Sequence, residues 1–271
     1  MNKGQETNET EMYKAYFEMM KEWIIRDYYN PSFKAEVVLD TMLSEFICEL
    51  LEYGFGDDRK FTLLAKEFPV KPLDNDSDSL RSPKLDYLLE DNKKNLYFVE
   101  LKTSSDSYDS KQFDSYSTYA NPEEGIKPIK KLWKHYRKII KKYNIFETYE
   151  KMKGNTKNDI SLNGTKKYVY QLHYLKCAED KFPDDLEGVE SNYSRIYLVY
   201  LTLMELKKEK IPVLTNHVAK PNVSQIVLSQ IIKKDEDFTK VFEANEEKEN
   251  KWKAVREILE ELIDNNGKLR D

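Results

Sequence analysis

The sequence predicts an α/β protein: a mixed β-sheet flanked by helices, with extra N-terminal, inserted and C-terminal helices. Three observations carry this expectation. A strongly amphipathic helical run from about Ser32 to Tyr53 precedes three short strand-like segments, Phe61 to Pro69, Lys84 to Glu90 and Leu96 to Thr103. Further on, Arg195 to Met204 (RIYLVYLTLM) is apolar on both faces and rich in Ile, Val and Tyr, the pattern of a strand buried within a sheet. Helical periodicity lies between these strand signals, so the order reads helix, three strands, helices, strand.

The elements follow in order. Residues 1–10 are polar, and Met12 to Tyr29 places Tyr13, Phe17, Met20, Trp23 and Ile24 at helical spacing before Pro31 stops the run. Ser32 can cap the second helix, whose apolar residues are Val38, Leu39, Met42, Leu43, Phe46, Ile47, Leu50 and Leu51, with Gly54 and Gly56 to end it. The polar stretch Asp74 to Ser82 separates the first two strands, and Asp91-Asn92-Lys93-Lys94-Asn95 turns the second into the third as a hairpin. Ser110 to Ala120 reads as a helix, Ile126 to Lys151 as a longer basic one, Lys153 to Gly164 as a connector, and Tyr168 to Phe182 as helical again. After the strand at Arg195, a helix is expected at Val223 to Lys233 and a charged one from Glu246 to Asp264. The whole is expected to be one domain over residues 1–271, with its core at about 32–204, a helical insertion at about 126–164 and a C-terminal extension at about 223–266.

Composition narrows the chemistry. The 271 residues, 39% hydrophobic and 34% charged, suffice for a real core. No run approaches the roughly 18 apolar residues of a membrane span, so a soluble, cytoplasmic protein is expected. Cys48 and Cys177 lie far apart in periodic segments, which suits buried thiols and neither a disulfide framework nor a CxxC zinc site. His135, His173 and His217 are scattered without zinc-hydrolase spacing, so any metal would be held by oxygen. With 8 Gly and neither GxxxxGK[ST] nor GxGxxG, nucleotide-cofactor chemistry is disfavoured. The net charge of −5 gives no global positive field, so binding of nucleic acid would need a local patch.

A hairpin centred on Lys93 pairs residues whose numbers sum to 186 and sets Asp86 opposite Glu100. Leu88, Leu96 and Phe98 share that face, so the acids project into an apolar layer where an unpaired charge costs several kcal/mol. Lys102 lies two residues beyond Glu100, on the same face by the strand's period of two. A Glu-x-Lys triplet is common by chance among so many charged residues; the apolar neighbours give this one its meaning. A divalent ion such as Mg²⁺ is the natural second cation, taking Asp86, Glu100, the Leu101 backbone carbonyl and substrate phosphate. Such a site suits phosphodiester hydrolysis, with Lys102 orienting the nucleophile or stabilising charge on phosphorus. On the helix from Ser32, Glu36 falls about 20° from Leu43, the middle of the apolar face, and is expected to point inward. A first-turn acid favoured by the helix dipole is the plainer account of it.

These residues resemble the PD-(D/E)xK nuclease superfamily with its restriction-endonuclease-like fold. The signature Asp on the second strand and (D/E)xK on the third correspond to Asp86 in Ser82-Pro83-Lys84-Leu85-Asp86 and to Glu100 and Lys102 in Val99-Glu100-Leu101-Lys102-Thr103. Leu85 stands where the signature has Pro, and Pro83 lies two positions earlier. Glu36 fits the acid that many members carry on the first core helix. The QxxxY motif of RecB-type and Cas4-like members is matched by Gln112 and Tyr116; Gln171, in Tyr170-Gln171-Leu172-His173-Tyr174, competes for the same part, and Gln112 has the fuller motif. The stretch from Phe98 through Tyr116 also resembles a group of poorly described bacterial proteins placed in this superfamily. The resemblance spans roughly Glu36 to Met204. It implies a Mg²⁺- or Mn²⁺-dependent DNA nuclease in which Asp86 and Glu100 bind metal, Lys102 assists the attacking water, Glu36 ligates or positions through water, and Gln112 orients Lys102 or phosphate, while Tyr116 packs.

Lys127 to Lys142 adds a run of basic residues, with Lys130, Lys131, Lys134, Arg137 and Lys138 interleaved with Trp133, His135 and Tyr136, a mixture that can track phosphates and stack bases. A solvated helix face is the plainer reading. Two functions are thus open: a metal-dependent nuclease acting on DNA, or a catalytically silent nuclease-fold module that binds nucleic acid or protein.

Overall fold

The computed structural model describes residues 17–26, 35–56, 58–70, 83–103, 109–125, 127–143, 188, 193–205, 222–243 and 245–268. Their elements are α1 (17–26), α2 (Ala35–Leu43), α3 (Ile47–Phe55), β1 (Phe61–Pro69), β2 (Lys84–Asp91), β3 (Leu96–Lys102), α4 (Ser110–Tyr119), α5 (Lys127–Tyr143), β4 (Ile196–Thr202), β5 (Val223–Val227), α6 (Leu228–Lys233), α7 (Asp235–Thr239) and α8 (Glu246–Lys268). This is an α/β architecture with a five-stranded mixed sheet in the order β1-β2-β3-β4-β5. The pairs β1–β2 and β2–β3 are antiparallel, and β3–β4 is parallel. Among the described residues, no helix is long and apolar enough to cross a membrane.

The chain divides into two compact units. The first gathers residues 1–46, 203–205 and 227–271. Its core is aromatic: Phe238 lies 4.6 Å from Trp252 and Phe46 lies 5.3 Å from it, both edge-on. The buried Trp252 indole donates to Asp235 Oδ1 at 2.7 Å, and Arg256 pairs with the other oxygen of that carboxylate, so the ring's polar edge is satisfied.

The second unit, residues 47–202 and 206–226, holds the sheet. Every residue of β3 is buried, because helices cover both faces. On one face Phe55 of α3 packs edge-on against Tyr97 at 5.1 Å, and Gly54 lets α3 approach β5 so closely that an added Cβ would fall 2.5 Å from Ile226. On the other face Phe113 of α4 stacks 6.1 Å from Tyr200, and Tyr136 of α5 stacks 5.9 Å from Phe68.

The β2–β3 hairpin is fixed by its loop. Asp91 Oδ1 accepts from the backbone N–H groups of Lys93 and Asn95 at 2.9 and 2.8 Å, and Lys94 takes the left-handed conformation (φ 61°) that closes the turn. The buried Asp91 carboxylate also receives the Tyr97 hydroxyl at 2.8 Å and the Asn95 amide at 2.9 Å, with Arg59 3.5 Å away. The register that follows, Glu90↔Leu96 through Tyr87↔Val99, is the one expected from the sequence.

Other expectations need correction. The single helix from Ser32 to Tyr53 is broken by a turn at residues 44–46. There the Thr41 and Ser44 hydroxyls bond back to the carbonyls of Val37 and Thr41, and the Phe46 N–H bonds to Leu43, a tighter spacing than the α-helix continues with. Val223 to Lys233 is not one helix but strand β5 followed by α6, with Val223, Ile226 and Val227 buried. Its β-branched residues carried that signal. Trp23 is 39% exposed, about 100° around α1 from the buried Ile24. Cys48 is half-exposed. The connector at 153–164, the helix at 168–182 with Gln171, Cys177, and the end of the basic helix at 144–151 lie outside the described residues.

Candidate metal centre

Because β3 alternates, Leu96, Phe98, Glu100 and Lys102 share the face that packs against α4 and α5; the first two are apolar and the last two charged. The regular β2–β3 ladder ends at Tyr87↔Val99, one residue short of the expected Asp86–Glu100 pair. Beyond it the Leu101 N–H is taken by the Asp86 side chain, whose Oδ2 accepts at 2.7 Å. The strands therefore part where the two acids stand.

Glu100 is 1% exposed and Lys102 6%. The Lys102 ammonium donates to Glu100 Oε2 at 3.1 Å, while Glu100 Oε1, equally buried, receives no hydrogen bond among the described residues. Burial and the neighbouring Asp86 charge push the Glu100 carboxyl up to about 8, and the Lys102 ammonium offsets only part of this. A buried carboxylate oxygen without a donor costs about as much as a broken hydrogen bond to a charged group, so Glu100 Oε1 would be stabilised by a cation.

The donor set fits a hard divalent cation. Glu100 Oε1, the partly exposed Asp86 carboxylate and the Leu101 carbonyl are oxygen ligands of the kind Mg²⁺ and Mn²⁺ take, with waters and phosphate completing the shell. No cluster of three or more His, Cys, Asp or Glu side chains that could hold a metal ion occurs among the described residues.

Helix α4 brings the next residues in. Asp109 caps it by accepting from the N–H groups of Lys111 and Gln112 at 2.8 and 3.3 Å, and Phe113, Tyr116 and Tyr119 form its buried face. Gln112 donates its amide to the Tyr116 hydroxyl at 3.0 Å. Burial raises the Tyr116 pKa, and the charges of Glu100 and Asp86 raise it further, so this hydroxyl lies within the field of both acids. Tyr116 packs as expected, its ring edge-on to Phe98 at 6.2 Å, and it also anchors Gln112, a part the motif alone does not reveal.

Two further polar residues escape sequence reasoning. Thr202, fully buried at the end of β4, is the cross-strand neighbour of Lys102, and Gln225 of β5 donates to its hydroxyl at 2.8 Å. Their signal in the sequence is a hydroxyl ending an apolar strand and an amide within a short one. Glu36 lies in α2, within the first compact unit, and its side chain is outside the described residues.

On α5, Lys130, Lys131, Lys134, Arg137 and Lys138 share an arc of about 120°, opposite the buried Ile129, Leu132 and Tyr136. Tyr136 and His135 are buried away from this arc, and the half-buried Trp133 borders it, packing against the core with Arg137 5.8 Å above its ring. Comparison with protein-family models, with curated proteins and with solved structures finds no match to this chain.

Proposed function

We propose that the chain is a divalent-metal-dependent nuclease with a restriction-endonuclease-like fold of the PD-(D/E)xK type, hydrolysing phosphodiester bonds in DNA. The carrying observation is the buried Glu100 carboxylate, one oxygen held by Lys102 and the other without a donor among the described residues, beside Asp86. The strand senses support the same reading: helix α3, the antiparallel β1–β2–β3, helix α4, then β4 parallel to β3.

Asp86 and Glu100, with the Leu101 carbonyl, would hold Mg²⁺ or Mn²⁺. When bound, the cation supplies a Lewis acid toward a phosphoryl oxygen and acidifies a nearby water. Lys102 keeps Glu100 oriented and sets its positive charge beside the attacking water and the charge gathering on phosphate. Gln112, steadied by the Tyr116 hydroxyl that lies in the field of both acids, would present an amide to the substrate phosphate. The basic arc of α5 would carry the flanking phosphates. Like charges four residues apart on a helix destabilise it by a few tenths of a kcal/mol per pair, and a polyanion would relieve that repulsion.

The test is digestion of supercoiled, linear and single-stranded DNA with Mg²⁺ or Mn²⁺, with Lys102→Ala as the control. Cleavage by the wild type that the variant loses is expected. No cleavage of any substrate, together with no metal bound at Asp86 and Glu100, would overturn the proposal.

A further inference from the structure

On the site face of the sheet, polar side chains stand on four adjacent strands, with Tyr200 of the apolar core level with Glu100 on β4. Toward one end, Leu96 and Phe98 of β3, Ile196 and Leu198 of β4 and Val223 of β5 all belong to the apolar core. Toward the other stand Asp86 of β2, Glu100 and Lys102 of β3, Thr202 of β4 and Gln225 of β5. Thr202 pairs in register with Lys102, so their side chains leave the sheet on the same side. The bond from Gln225 Nε2 to the Thr202 hydroxyl places Gln225 there as well. Lys102 and Thr202 are the last residues of neighbouring parallel strands, the end at which open α/β sheets bind ligands.

Gln225 is half-buried, and one of its two amide N–H groups is committed to Thr202. Among the described residues its second N–H and its carbonyl oxygen have no partner. Thr202 holds the amide in place: its hydroxyl receives Gln225 and reaches the Ile226 carbonyl at 3.5 Å. Two strand spacings separate Gln225 from the strand of Lys102, on the order of 10 Å, which is too far to touch the same phosphate through short side chains and suited to the next group along a nucleic-acid strand. A neutral amide donor recognises a phosphodiester oxygen without adding charge to a site that already holds two acids and an amine.

We infer that Gln225, fixed by Thr202, forms a substrate subsite that binds the nucleic-acid strand one nucleotide away from the scissile phosphate. The inference rests on the nuclease reading for its substrate. A residue binding a remote group equally in ground and transition states changes KM and leaves kcat alone. It is also indifferent to a substrate that lacks the remote group.

The experiment compares full-length wild type with Gln225→Leu, which keeps the bulk, and Gln225→Glu, which repels phosphate, on a short DNA duplex and on bis(p-nitrophenyl) phosphate, a single phosphodiester. For DNA, KM is expected to rise about tenfold in Gln225→Leu and further in Gln225→Glu with kcat held. Hydrolysis of the small ester, where wild type supports it, is expected to stay within about twofold, and thermal melting serves as the folding control. Equal losses on both substrates, a fall in kcat on DNA, or no change on either would overturn the subsite. Should wild type cleave neither substrate and bind no metal at Asp86 and Glu100, the nuclease reading fails by itself; the subsite is then judged from DNA affinity by fluorescence anisotropy, which weakens in Gln225→Glu if the inference holds and is unchanged if it does not.

Discussion

Replacing Glu100 by Gln isolates the energetic tension at the centre of the site. In the metal-free protein the Glu100 carboxyl is displaced from its ordinary 4.5 to about 8 by burial and by Asp86. At about 1.4 kcal/mol for each tenfold change, ionising it in the folded state costs up to about 5 kcal/mol relative to the unfolded chain. The sign follows from proton counts. Between about 4.5 and 8 the folded protein holds a proton on Glu100 that the unfolded chain has released, so the contribution is fully present below the lower value and is lost as pH rises through the upper one. A glutamine side chain cannot ionise. In the presence of chelator, denaturant unfolding from about pH 5 to pH 9 is therefore expected to show the Glu100→Gln variant gaining several kcal/mol on the wild type as pH rises. Adding Mn²⁺ is expected to stabilise the wild type and leave Glu100→Gln nearly unmoved. A stability difference that does not vary with pH would refute the reasoning, because the carboxylate would then be well solvated or already compensated.

Further outcomes are expected elsewhere. Lys102→Ala should lower DNA cleavage by about two to three orders of magnitude, the usual loss of one charge-stabilising donor, with circular dichroism checking the fold. Reversing Lys131, Lys134 and Lys138 to Glu should flatten the dependence of DNA affinity on salt, by about 0.9 in log–log slope for each phosphate the helix no longer neutralises, measured by anisotropy titrations. An unchanged slope would remove α5 from the binding surface. Asp91→Ala should cost about 3 kcal/mol in urea unfolding, since it strips the acceptor from Tyr97, Asn95 and the turn N–H groups around a carboxylate with no exposed side-chain surface. Tyr116→Phe should leave stability within about 1 kcal/mol, because the ring still packs, while releasing Gln112; kcat on DNA falling more than KM changes is the expected kinetic signature.

The hairpin was legible because its determinants are local. Asp91, Lys94 and Asn95 close a turn that a five-residue polar sequence already announces, and the register then follows by counting, carrying Asp86 toward Glu100. The buried β3 and β4 were legible from apolar residues on both faces. Less visible was anything set by tertiary competition. Helical periodicity runs unbroken through Ser44 to Phe46, yet hydroxyls bonding back to carbonyls and the tighter Phe46 N–H to Leu43 bond interrupt the helix. Residues 223–233 satisfy both a helical and a strand pattern, and the open edge of β4 selects the strand for the first five. Thr202 and Gln225 could not be joined to the acids from sequence, because only the parallel register of β4 beside β3 brings them to the same level. His135 and Tyr136 of α5 leave the basic face because interleaving in sequence does not survive a helical turn of about 100° per residue.

The most direct test is a crystal of the full chain soaked in Mn²⁺, with anomalous scattering to locate the ion. The account predicts a site at about 2.0–2.2 Å from Glu100 Oε1 and an Asp86 oxygen, with Lys102 still on Glu100 Oε2. Finding no ion there at saturating Mn²⁺, with Glu100 Oε1 instead hydrogen-bonded to another protein group, would contradict it.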